Sequence, residues 1–196
     1  MPESAVYANF NWNSQEEYVD TLSKRSRKHY RDDIEAYRDQ VEIQIQQNLS
    51  KTELDKSFQL YQAVKANNIG LNTFSYPYAL FEHMNSSPQW EFISLYLKDT
   101  ERTLAGVMFC YKNSNAIYAP AIVGMDYEYA RTYNVYRQLL FQTILRAKDL
   151  GQSRIDFGLT AGFEKRKVGA EVIEKCAYLQ ARDNFALEAL DWLRKD

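Results

Sequence analysis

The sequence is poor in the residues that staple, ligate or cradle. Its 196 residues hold two cysteines, two histidines and seven glycines. Cys110 and Cys176 sit in apolar, strand-like runs with no CxxC or other metal spacing. That excludes a disulfide scaffold and fits buried thiols in a reducing compartment. His29 and His83 stand apart from any serine or cysteine nucleophile pattern, so neither a triad nor a metal constellation is expected. No apolar run approaches the ~18 residues of a membrane span. The start Met1-Pro2-Glu3-Ser4-Ala5 lacks the basic and apolar stretches of a secretory leader. A formal net charge of −2 gives no general pull toward nucleic acid or membrane. A soluble, cytoplasmic protein is expected. The length suits a single domain spanning 1–196, with 1–13 as an N-terminal extension, and permits the chain to be part of a larger protein.

What is present is aromatic, and above all tyrosine, with 15 copies suited to half-wet clefts and sheet surfaces. Ser14-Gln-Glu-Glu17 has the form of a capping box and predicts a helix to about Gln40; Ser50-Lys-Thr-Glu53 repeats the form and opens a second helix toward Asn67. Between them, Val41 to Gln46 alternates apolar and polar as a half-buried strand does. Pro77 opens a short helix through Leu80, Phe81 and Met84. Three strand-like runs follow, Trp90 to Lys98, Thr103 to Tyr111 and Ala116 to Gly124, joined by connectors of hairpin length. A long helix is predicted over about Thr132 to Leu150. After it come a strand at Arg154 to Phe157, an irregular loop or helix, a strand from Val172 to Gln180, and a C-terminal helix through Leu187, Leu190 and Leu193.

This order predicts an α/β (α+β) domain: a mixed, mostly antiparallel sheet with helices on both faces. Pro120 lies inside the third hairpin strand. Proline cannot donate to a ladder, so it marks either a bulge or interrupted pairing, or else a plain edge or strand end. Farther on, Leu150-Gly-Gln-Ser-Arg-Ile-Asp-Phe-Gly158 reads as a helix end and a short buried strand that delivers Asp156 and Gly158 to its C-terminal edge. Phe163-Glu-Lys-Arg-Lys-Val-Gly169 then brings a cationic cluster back past that edge, where ligands bind in α/β sheets.

The layout from about Leu22 to Ala170 resembles the GNAT superfamily of N-acyltransferases, and more closely its Fem-like branch. The pieces that carry the resemblance are the basic start Ser23 to Arg31, the strand containing Ala105-Gly-Val, Gly124-Met-Asp-Tyr-Glu-Tyr-Ala-Arg131, Ile155-Asp-Phe-Gly158, and Glu164-Lys165 with Gly169. The resemblance implies acyl transfer from a thioester, acyl-CoA or acetyl-CoA, to an amine on a small molecule or cell-wall precursor. Its Fem-like form would instead use aminoacyl-tRNA, and a degenerate member would bind a ligand or partner without catalysis. A homodimer or a fused partner domain also fits the family. One departure concerns the donor: the glycine loop that holds the CoA pyrophosphate in most GNAT enzymes is replaced by Glu128 to Tyr136, which contains no glycine.

The resemblance also implies the site. Backbone N–H groups near Ala121, Ile122 and Val123 would meet the donor arm and the oxyanion. A free helix start with Arg131, Thr132, Tyr133 and Asn134 would meet its phosphates, Thr132 serving as the cap. Asp156 is a candidate base or amine-binding group, or else a carboxylate capping the next loop; Asp126 is an alternative acid or a turn former. Lys165 would neutralise a phosphate or carboxylate, or lie solvated beside Arg166 and Lys167. Tyr127, Tyr129, Tyr133 and Tyr178 are candidates to protonate a departing thiolate. The cations from Lys24 to Arg31 form either a solvated helix face or a contact for the CoA 3′-phosphate or tRNA.

Overall fold

A computed structural model describes residues 3–67 and 74–176. The expected mixed sheet is there, with seven strands among the described residues: β1 (Glu3–Tyr7), β2 (Val41–Gln46), β3 (Trp90–Leu97), β4 (Leu104–Asn113), β5 (Ile117–Met125), β6 (Arg154–Leu159) and β7 (Glu171–Glu174). Their spatial order is β2-β3-β4-β5-β6-β1-β7, and every neighbouring pair is antiparallel except β5–β6. The helices are α1 (Gln15–Thr21), α2 (Lys24–Asp33), α3 (Lys51–Asn67), α4 (Tyr78–Ser86), α5 (Tyr127–Ala130), α6 (Val135–Asp149) and α7 (Gly162–Lys167).

The Ser50 capping box closes in full and the Ser14 one by half, since the Glu17 carboxylate accepts from the Asn13 amide instead of that of Ser14. Ser14 Oγ accepts from the Glu17 amide, and Ser50 and Glu53 exchange side-chain-to-backbone bonds at the start of α3. The single helix expected from Ser14 to Gln40 is instead two helices and a short 3-10 turn at Glu35–Tyr37. Leu22 leaves helical geometry to bury its side chain, and Ser23 then caps a fresh helix by accepting from the Ser26 amide. The stretch assigned to an N-terminal extension supplies β1, which lies between β6 and β7. The strand expected from Val172 is β7; its continuation to Gln180 and the C-terminal helix lie outside the described residues.

Helix α6, with α1 and α2, covers one face of the sheet; α3 and α4 cover the other. Alternation along β3 sends Ile93 and Leu95 to the first face and Phe92 to the second. On the first face sits a buried ionic cluster. The Glu91 carboxylate accepts two bonds of 2.8 Å from Arg146 of α6 and one of 2.6 Å from the Tyr118 hydroxyl of β5. Burial acts to raise the Glu91 pKa, but those bonds and the charges of Arg146 and Lys112 outweigh it and hold the carboxyl below the usual carboxylate range. The stability it contributes is therefore present above the unfolded carboxylate range and is lost as pH falls through the lower folded value. Glu91→Gln strands a half-buried guanidinium and is expected to cost about 3–5 kcal/mol. Urea unfolding at neutral pH measures that cost, and the gap between variant and wild type should narrow in acid.

Candidate functional site

The site begins where two strands stop pairing. β5 and β6 run parallel and are registered only at Ile117 with Arg154 and Tyr118 with Ile155. Beyond Tyr118 and Ile155 they part. Pro120 sits at a register shift in the β4–β5 ladder: Cys110 faces Pro120, Phe109 faces Ile122, and Ala121 is the extra residue between them. Of the alternatives for this proline, the bulge is the one that forms. It bends β5 and leaves one residue out of the ladder.

The parting opens a cleft of about 140 Å³. Pro120, Ala121 and Val123 of β5 form one wall, and Phe157 and Leu159 of β6 the other. Tyr136 and Leu140, from the first turns of α6, lie beneath. Close approaches hold the surroundings. A Cβ on Gly124 would come within 2.7 Å of the Tyr61 backbone nitrogen, so α3 rests directly on β5. A Cβ on Gly106 would meet Val135 at 2.4 Å, which sets α6 against β4.

Several residues singled out in the sequence converge here. Ala121 and Val123 line the cleft, while Ile122 turns to the α3 side. Lys165 lines it too, but not as an exposed cation. It is 3% exposed, and its Nζ donates to four successive carbonyls: Phe157 (2.7 Å), Gly158 (3.3 Å), Leu159 (2.9 Å) and Thr160 (2.8 Å). Three N–H donors are thereby used on the protein itself. Burial pushes this ammonium down to about 8, against the pull of the Asp156 and Glu3 carboxylates.

Other residues stand elsewhere. Asp156 is exposed on the strand face opposite Ile155 and Phe157, and its Oδ1 accepts from the Gly158 amide at 2.9 Å. It is not among the residues lining the cleft. Asp126 caps α5 by accepting from the Glu128 amide. Thr132 is exposed and does not cap α6; that position belongs to Asn134, in left-handed geometry with φ 50°. Tyr133 packs edge-on against Tyr37 and tilted against Tyr129. Arg131 is exposed just before α6 and forms no ion pair with another described residue. Arg137, one turn farther on, is committed: it bonds Asp33 of α2 and Glu164 of α7, and Lys167 bonds the other Glu164 oxygen.

Tyr136 is a cleft residue that its sequence context does not announce. Its spacing with Leu139 and Leu140 reads as part of an apolar helix stripe, yet it lines the cleft. Burial, and then the Glu164 charge, raise its phenol well above the ordinary tyrosine range. It thus stays protonated and can donate. Tyr178 lies outside the described residues. Among the described residues no group of acids, histidines and cysteines is arranged to hold a metal, and no helix is long and apolar enough to cross a membrane.

Residues 24–166 match the model of the acetyltransferase (GNAT) domain, and the chain belongs to that family. The solved structure of L-PGS from Bacillus licheniformis shares the fold, with a TM-score of 0.50 and 12% identity, covering 81% of this chain and 45% of that one. The chain thus spans less than half the length of that protein. No curated protein matches it.

The bend in β6 depends on Gly158, whose φ is +68° and whose missing Cβ would touch nothing within 4 Å. Gly158→Ala adds backbone strain alone, so it should lower stability by about 1–2 kcal/mol. Chemical denaturation checks this; no change would mean that the bend is not held in that geometry.

Proposed function

We propose that the chain is a GNAT-like N-acyltransferase, in which a thioester donor, acyl-CoA, lays its extended arm between β5 and β6. One observation carries this reading: the two strands pair at Tyr118 and Ile155, then part around a bulge and leave a cleft of about 140 Å³. An extended arm needs backbone groups to pair with, and the bulged stretch of β5 is where the ladder leaves one out. The donor phosphates would meet Arg131 and the first turn of α6.

The chemistry then follows from what lines the cleft. The acceptor nitrogen attacks the thioester carbonyl, a C–N bond forms, and the oxyanion is held by backbone N–H groups near Ala121. The C–S bond breaks, and the Tyr136 hydroxyl protonates the departing thiolate. No carboxylate lines the cleft among the described residues. The amine therefore enters neutral; once bonded to carbon its nitrogen gives one proton to solvent, and solvent returns one to the Tyr136 phenolate, so that the amide and the thiol leave with the enzyme unchanged. Acceptors of matching chemistry are a small-molecule amine or a cell-wall precursor.

The second reading is an aminoacyl-tRNA donor. It is favoured by the absence of a glycine loop before α6 and by Lys24, Arg25, Lys28 and Arg31, all exposed on α2. Thermal denaturation with free CoA, a panel of acyl-CoAs and charged tRNA separates the readings. A ligand at 100 times its Kd stabilises the native state by about 2.7 kcal/mol. A rise in Tm with CoA supports the first reading, and a rise with tRNA that collapses with added salt supports the second. No shift with any donor would sink both and leave a non-catalytic binding domain. Given activity, Tyr136→Phe should lower kcat roughly 100-fold or more with donor binding retained, whereas Asp156→Asn should leave turnover nearly unchanged.

A further inference from the structure

Four consecutive carbonyl oxygens pointing at one atom do not occur in an extended strand, where successive groups alternate in direction. At the end of β6 the carbonyls of Phe157, Gly158, Leu159 and Thr160 all lie within 3.3 Å of Lys165 Nζ. The backbone is coiled to achieve this. Gly158, Thr160 and Ala161 have φ of +68°, +61° and +50°. For glycine that costs little, but for a β-branched threonine it is a true outlier, and each non-glycine residue so placed is strained. Something must offset the strain, and the buried ammonium is the group in position to do so.

We propose that Lys165 is a positioning residue: a tethered ammonium ion that fills a carbonyl cage, curls the end of β6 and so keeps the cleft open. The cage is the wall of the cleft, since Phe157, Leu159, Thr160 and Lys165 all line it. Continuing the β5–β6 register would set Ala119 against Asp156 and Pro120 against Phe157. Two devices stop that continuation. On β5, Pro120 has no N–H to give; on β6, the carbonyls from Phe157 onward are turned to the ammonium. Without the cation the coil loses its reason, because buried carbonyls left without a donor are costly. The strand is then free to extend and pair with β5. The Lys165 backbone fixes the height of the ammonium: its amide donates to Ala161 O at 3.1 Å, and its carbonyl accepts from Ala170 N at 3.1 Å.

The cage stands independently of the acyl-transfer reading; only its effect on a donor rests on that reading. Hydrogen–deuterium exchange tests it on Lys165→Met, which keeps the apolar stem, and on Lys165→Ala, which leaves room for a free amine. In Lys165→Met, amides of the 119–123 stretch of β5 should gain protection roughly tenfold, the worth of about one hydrogen bond, while residues 158–162 exchange faster. A merely structural lysine would lose protection everywhere and gain it nowhere. In Lys165→Ala, n-propylammonium should restore the wild-type pattern and Tm, and tetramethylammonium, which has no N–H, should not. Exchange in β5 that is unchanged or faster, or equal rescue by both cations, overturns the proposal, as does global loss of protection that n-propylammonium leaves in place. CoA binding is read alongside: if the wild type binds no CoA, the functional reading fails while the exchange data still decide the cage.

Discussion

The structure turns on the brevity of one strand pairing. Among the described residues, a seven-stranded sheet is continuous at the Tyr118–Ile155 end of its one parallel pair and divided at the other. The closed end is fixed from three sides. Tyr118 and Ile155 are fully buried, the Tyr118 hydroxyl is bound to Glu91 of β3, and Glu91 is bound to Arg146 of α6. Strand and helix are thereby locked at the point from which the two strands diverge. A buried ion pair of this kind is weak evidence for stability but a strong constraint on geometry, because either partner alone is costly. The open end is kept apart by a bulge and a proline on one strand and by coiled backbone on the other.

Electrostatics divides the cations near the cleft by how far they are already committed. Arg137 and Lys167 are taken up by Asp33 and Glu164, which ties α2, α6 and α7 into one unit at the start of the long helix. Asp33 also accepts the approach of His29 on its own helix. Lys28 on the outer face of α2 is paired with Asp32, whereas Arg131, Lys24, Arg25 and Arg31 form no ion pair with another described residue. An incoming anion would meet these exposed groups first, over a scaffold whose inner charges are balanced.

Much of this was legible from residues alone, and what was missed has physical reasons. The capping boxes at Ser14 and Ser50, the alternation from Val41 to Gln46 and the proline in β5 are local signals with local causes, and each appears where expected. β1 left no comparable trace: it has five residues, and its partners lie at the other end of the chain. The break at Leu22 follows from burial of that side chain, a tertiary demand that overrides helical continuity. Lys165 was misleading because Arg166 and Lys167 follow it; a run of three cations reads as solvent-facing, although a six-residue helix turns one of the three inward. Tyr136 hid within an apolar stripe, since burial and access to a cleft have the same periodicity on a helix.

The position of β1 sets a temporal order on how this molecule is made. Its edges are closed by β6 on one side and β7 on the other, and Val6 lies opposite both Asp156 and Glu171. A ribosome releases the first strand long before either neighbour exists, so that segment waits unpaired while the β2–β5 meander assembles from nearer contacts. The strand that borders the cleft therefore acquires its outer partner among the last events of folding. Half of the sheet can be native while the half that borders the cleft is not yet formed.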